Sequence, residues 1–328
     1  MTATFVVPRA QLGTSASRRP TLPTTVDDAV EEHAVSFAST GDTALGGAWF
    51  TPAGREPTAA VVVVGGAGVP AHAYRHLARH LASHGAAVLA FDYRGVAASR
   101  VGELRGLHAG TEEWSADVGA ALVMAHRRFP DVPLHAVAHS VGTFLLGASP
   151  AAVLLTRAVL LAPHTAYYGD YHPRWRPAMW LAWHVLMPLV TNLVGYFPGR
   201  ALRLGEDLPR GIALDWARRR HPDVLHSPAT RERFELVVRR FERMQAATLA
   251  LTVTDDAFAT EAGARRLLAY YASAPAEHET VSPAALGVPN VGHFGFLRAH
   301  AGRYFWERAA RWLELDAAHA VAPLRRIS

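Results

Sequence analysis

The stretch Val137-Ala138-His139-Ser140-Val141-Gly142 decides how this chain is read. Before it, LHAVA (134–138) has the make-up of a short buried strand; after it, FLLGA (144–148) continues as an apolar helix. A serine at such a junction has two readings. Its hydroxyl caps the helix by accepting a backbone N–H, or it is a nucleophile on a strained turn. The second reading needs small residues two positions to either side, so that strand and helix pass closely. Gly142 is the trailing small residue and Ala138 the leading one. The hexapeptide alone leaves both readings open.

The strand before Ser140 belongs to a series. AAVVVV (59–64), bounded by Pro57 and Gly65, is a β-branched run that suits a strand buried on both faces of a parallel sheet. A helix over about 71–84, the strand AAVLAFDY (86–93), a helix over about 112–129, the strand before Ser140, a helix from Val141 and the strand RAVLLAP (157–163) follow. Strand and helix alternating in this way predict right-handed crossovers and a parallel sheet. Upstream, AVSFAST and TALGGAWFTP flank Gly41-Asp42 as an antiparallel hairpin. Past Pro163 the rhythm stops in a stretch rich in Trp, Tyr, Pro and Arg. It resumes with TLALTVT (248–254), a helix over 261–271, EHETVS (277–282) and a last helix from Gly302. The expected organisation is a flexible leader over 1–28, a core from 29–163 and 247–328, and a cap insertion over 164–246.

Composition narrows the classes. Half of the 328 residues are apolar and 19% are charged, which fits a large buried core and excludes long disorder. The net charge of +5 invites an anionic partner, but the arginines are spread out with no aromatic interleaving, so no nucleic acid is expected. Without cysteine there is neither a disulfide framework nor a cysteine zinc site. The head has no apolar run long enough for a signal peptide, so a cytoplasmic location is the expectation. AMWLAWHVLMPLVTNLVGYF (178–197) approaches bilayer-spanning length but carries His184, Pro188, Thr191 and Asn192. It is read as buried cap helices without stable membrane insertion.

Further residues bear on Ser140. Gly65-Gly66-Ala67-Gly68 follows a strand and precedes a helix, where glycines let the backbone turn an N–H toward the top of the sheet. Ala67 and Val141 are the candidate oxyanion donors. The same loop lacks the spacing of a phosphate-binding motif. Asp255 and Asp256 end the strand over 248–254, and His293 lies between glycines before the last helix. Serine, aspartate, histidine is the chain order of one triad-bearing fold. There, His293 would take the serine proton while an aspartate holds the imidazole tautomer. Either aspartate suits, the other capping a helix. His72, His76, His80 and His84 recur every four residues, a spacing able to bind a metal, but without a carboxylate on that helix. No metal or other cofactor is expected.

Asp92-Tyr93-Arg94-Gly95-Val96-Ala97-Ala98-Ser99 resembles the D-x-R-G-x-G-x-S turn of the α/β-hydrolases, with Ala97 where that family usually has glycine. The resemblance runs over about 34–315. It implies a mostly parallel, doubly wound α/β sheet with an inserted, mainly helical cap. VTDDAFAT overlays the family's G-x-D-D-P-x-x-P loop and puts Asp256 in the acid position; Asp92 and Arg94 are expected to pair and pin their loop. GYFPGRALRLGEDLPRGIALDW is similar to a bacterial group of predicted serine hydrolases with an inserted cap.

The expected function is cleavage of a carboxylic ester, thioester or related acyl compound through an acyl-enzyme on Ser140. Acyl transfer or cyclisation through the same intermediate, and a noncatalytic ligand-binding homologue, are the alternatives. His164, after the strand 157–163, either touches substrate or is a plain loop residue. Trp183 and Phe197, with Trp175, Trp180 and Tyr196, would make an apolar roof, favouring a small apolar acyl substrate.

Overall fold

A computed structural model describes residues 29–218 and 228–315; the expected leader, 1–28, lies outside them. Strands β1 (Val30–Ala38) and β2 (Ala44–Pro52) form the hairpin around Gly41 and Asp42, both at positive φ. Then β3 (Ala59–Val64), α1 (Arg75–Ser83), β4 (Ala86–Phe91), α2 (Thr111–Arg128), β5 (Leu134–His139), α3 (Val141–Ala148) and β6 (Arg157–Leu161) alternate as the sequence predicts. The next segment holds α4 (Arg176–Leu181), α5 (Met187–Val194), the two-residue strands β7 (Tyr196–Phe197) and β8 (Leu208–Pro209), α6 (Arg210–Ala217) and α7 (Pro228–Arg243). The chain closes with β9 (Ala247–Val253), α8 (Glu261–Leu268), β10 (Ala276–Val281) and α9 (Ala299–Trp312).

Eight strands make one sheet in the order β1-β2-β4-β3-β5-β6-β9-β10. The β1–β2 and β2–β4 pairings are antiparallel, and every pairing from β4 to β10 is parallel. Each residue of β3, β4 and β5 is buried, because helices cover both faces. Trp49, Trp114, Leu145 and Phe241 lie in the apolar layer on one face, and Tyr74, Leu77, Phe296 and Phe305 in the layer on the other. The sheet and its helices are the α/β-hydrolase fold.

Two loop expectations are corrected. Arg94 pairs with Asp117 of α2, its Nη2 2.6 Å from Oδ1, and not with Asp92. Asp92 instead accepts from Ala71 N–H at 2.7 Å and Ala98 N–H at 3.1 Å, and so joins two loops by their backbones. Burial pushes its carboxyl above the usual carboxylate range.

The segment between β6 and β9 is only partly as expected. A continuous helical run, Pro173–Val194, is the one helix among the described residues long and apolar enough to cross a membrane, and only 11% of its apolar window is buried. The expectation of buried helices fails here: Met187 and Thr191 face inward, while Trp180, Leu181, Leu186, Leu189 and Leu193 are exposed. Hydropathy reports that a helix is apolar, not which side it is packed on. α7 runs along the flank of the sheet as the crossover to β9. Its Phe241 is fully buried against α3, where a Cβ on Gly147 would come within 2.2 Å of the ring.

Candidate active site

Ser140 sits where β5 turns into α3, at φ 54° and ψ −125°, a left-handed conformation that costs a non-glycine residue energy. Its hydroxyl does not cap the helix. The turn is possible because α3 crosses β3 at close range: a Cβ on Gly142 would lie 2.3 Å from the Val64 carbonyl oxygen. Ala138, fully buried and paired with Val64 and Leu160, shows that a methyl fits two residues before the serine.

The hydroxyl faces His293, whose Nε2 is 2.8 Å from Ser140 Oγ; His293 Nδ1 is 2.8 Å from Asp256 Oδ2. Three loops from distant parts of the chain meet here, each at the C-terminal end of the parallel strands. Asp256 Oδ1 also accepts from Phe258 N–H at 2.8 Å and Ala259 N–H at 3.0 Å. Burial raises the Asp256 pKa, but His293 and these hydrogen bonds outweigh it and hold the carboxyl below the usual range. A carboxylate there fixes the proton on His293 Nδ1 and leaves Nε2 to accept from Ser140. Asp255 has another task, accepting from Val291 N–H at 2.9 Å and Gly292 N–H at 3.0 Å, and so fastening the loop that carries His293.

His164 also reaches the serine. It is 3% exposed, with Nε2 3.3 Å from Ser140 Oγ and Nδ1 accepting from Ala166 N–H at 3.1 Å. It lies against the Ser140 hydroxyl. Trp216 packs edge-on against its ring at 5.5 Å, and Trp183 packs against Trp216 at 6.2 Å. Phe197 is buried with β7 in the apolar cluster, and among the described residues no hydrogen bond or ring contact joins it to Ser140, His164 or His293. Trp175 and Trp180 are 42% and 46% exposed.

The glycine loop sits beside the elbow: a Cβ on Gly66 would be 3.2 Å from Ser140 Cβ and 3.1 Å from His139 Nδ1. Gly66 N–H donates to Tyr74 Oη at 2.7 Å, Tyr74 donates to His139 Nδ1 at 3.0 Å, and His139 Nε2 donates to the His293 carbonyl at 2.9 Å. This relay ties the glycine loop to the backbone of the His293 loop through His139, the residue before Ser140. Burial first, and His293 second, lower the His139 pKa to about 3, so the ring stays neutral. Sequence reasoning missed Tyr74, which reads as one more apolar helix residue. The His-Ser dipeptide was the available sign that His139 matters.

The four-histidine stripe does not gather into a cluster. His72 lies in a separate 3-10 turn, His76 stacks on Trp306 at 6.3 Å, and His80 and His84 pack together at 4.4 Å.

The fold and a serine facing a histidine define the class, an α/β-hydrolase. Residues 55–282 match the family described as serine aminopeptidase, S33, and the chain belongs to that family. None of the curated protein sequences compared with it matches. Among solved structures, it is similar to a soluble variant of monoglyceride lipase from Saccharomyces cerevisiae in complex with a substrate analog. That match has a TM-score of 0.64 at 15% identity, covering 89% of this chain and 97% of that one. An esterase from Pyrococcus furiosus gives a TM-score of 0.58 at 12% identity, covering 91% and 95%. A hypothetical protein from Pseudomonas aeruginosa gives 0.58 at 16% identity, covering 93% and 99%. At such identities the likeness is one of fold.

Proposed function

We propose that the chain is a serine hydrolase that cleaves a carboxylic ester, thioester or related acyl compound with an apolar acyl group. The observation that carries this reading is the pair of 2.8 Å hydrogen bonds that link Ser140 Oγ through His293 to Asp256. Ser140 Oγ attacks the carbonyl carbon while its proton passes to His293 Nε2; the bond to the leaving group then breaks, and His293 returns the proton to it. Water repeats the sequence on the acyl-enzyme. The Ala67 and Val141 N–H groups hold the oxyanion. Val141 is the first residue of α3, whose N–H has no intrahelical acceptor, and Ala67 follows Gly66 on the loop beside Ser140. Trp216, packed against His164, and Trp183, packed against Trp216, favour an apolar substrate.

The test is labelling with a fluorophosphonate probe together with hydrolysis of p-nitrophenyl esters. Wild type labels and turns over ester, and Ser140→Ala does neither while keeping the wild-type circular dichroism spectrum. A folded wild-type protein that does not label refutes the proposal.

A further inference from the structure

We infer that His164 is a second catalytic histidine, a neutral N–H donor to Ser140 Oγ that speeds release of the acyl group rather than its uptake. The inference rests on the acyl-enzyme reading above.

Its partners assign the tautomer. Nδ1 of His164 accepts from Ala166 N–H at 3.1 Å, so the ring proton sits on Nε2, which faces Ser140 Oγ at 3.3 Å. An imidazolium would turn Nδ1 into a donor and set it against the Ala166 N–H. Local structure holds the arrangement. Ala162 and Ala166 both have positive φ, 50° and 63°, which fold the loop back so that its own N–H reaches the ring. Trp216 at 5.5 Å and Tyr171 at 6.2 Å wall the imidazole, and α8 brings Gly263 against its Cβ. Ser140 Oγ thus donates its one proton to His293 and accepts from His164.

The two half-reactions use that oxygen differently. During acylation Oγ begins as a hydroxyl, a good acceptor already bonded to His164, and ends as an ester oxygen, a poor acceptor whose lone pair is drawn into the carbonyl. A donor there gives acylation nothing. During deacylation water adds to the acyl carbon and its proton passes to His293. The C–Oγ bond then breaks, the electron pair stays on Oγ, and Oγ recovers a proton from His293. The hydrogen bond from His164 strengthens along this path, so it stabilises the transition state more than the acyl-enzyme. A neutral hydrogen bond of ordinary strength gives on the order of 10-fold in rate. The His164 proton is not transferred.

The experiment compares wild type, His164→Gln and His164→Leu, mixed rapidly with p-nitrophenyl butyrate. The expected result for His164→Leu is kcat lowered on the order of 10-fold, kcat/KM and the fluorophosphonate labelling rate within about 3-fold of wild type, and a larger burst of p-nitrophenol. His164→Gln, which keeps an N–H at similar reach, recovers part of kcat; it also serves if the leucine variant does not fold. Labelling and kcat falling together would overturn the inference, as would an unchanged kcat in both variants. Failure of the underlying reading looks different: wild type itself would not label.

Discussion

Asp255 and Asp256 are chemically identical neighbours with unlike environments. Asp256→Asn offers His293 an amide and disturbs its tautomer, so kcat should fall roughly 10³- to 10⁴-fold. Asp255→Asn keeps one acceptor for the His293 loop and should cost less than about 10-fold; steady-state ester hydrolysis by the two variants checks both. Ala97 stands at φ 36°, a left-handed position favouring glycine. Ala97→Gly should therefore raise stability by about 0.5–1 kcal/mol, read from the urea midpoint. Buried histidines set the acid limit. Burial lowers the pKa of His135 to about 4 and of His139 to about 3, whereas the unfolded chain protonates both near 6.5. Below pH 6.5 the unfolded state binds more protons, so stability falls by about 1.4 kcal/mol per histidine per pH unit down to about pH 4. His135→Leu removes one share, and unfolding free energies at pH 6.5 and 5 should differ less in that variant than in wild type.

At the scale of elements, the crossing of β3 and α3 is the tightest constraint near the site. Gly142→Ala places a methyl on the Val64 carbonyl, which is backbone and cannot move aside. A loss of roughly 1–3 kcal/mol or more, with weakened fluorophosphonate labelling, is the expected outcome in urea unfolding and probe assays. What the sequence disclosed follows the same lines. The β-branched strands, the small residues Ala138 and Gly142 at the elbow and the serine, aspartate, histidine order each carry a local pattern, and each was legible. The Arg94–Asp117 pair was not, because the partner sits on α2 and the nearer Asp92 offered an equally good charge. The exposed side of Pro173–Val194 was misread because an apolar helix has the same composition whether it faces a core or solvent. The proximity of His164 to Ser140 depends on two alanines in left-handed conformations, which composition does not announce.

Across the whole molecule, Ser140, Asp256 and His293 are brought together by strand order, and the Gly66–Tyr74–His139–His293 relay ties the glycine loop to the His293 loop. Tyr74→Phe would leave the Gly66 N–H and the His139 Nδ1 buried without their shared partner. The expected result is a loss of about 1–3 kcal/mol in thermal or urea unfolding, with lower kcat. β6 and β9 are hydrogen-bonded neighbours, Arg157 opposite Ala247 and Leu161 opposite Leu251, although a long segment separates them in sequence. Closing such a loop costs entropy that grows only logarithmically, about 0.6 kcal/mol for each doubling of its length. The chain can therefore gain tens of residues in the exposed loops between these two strands while their register, and the loops that end them, stay where they are.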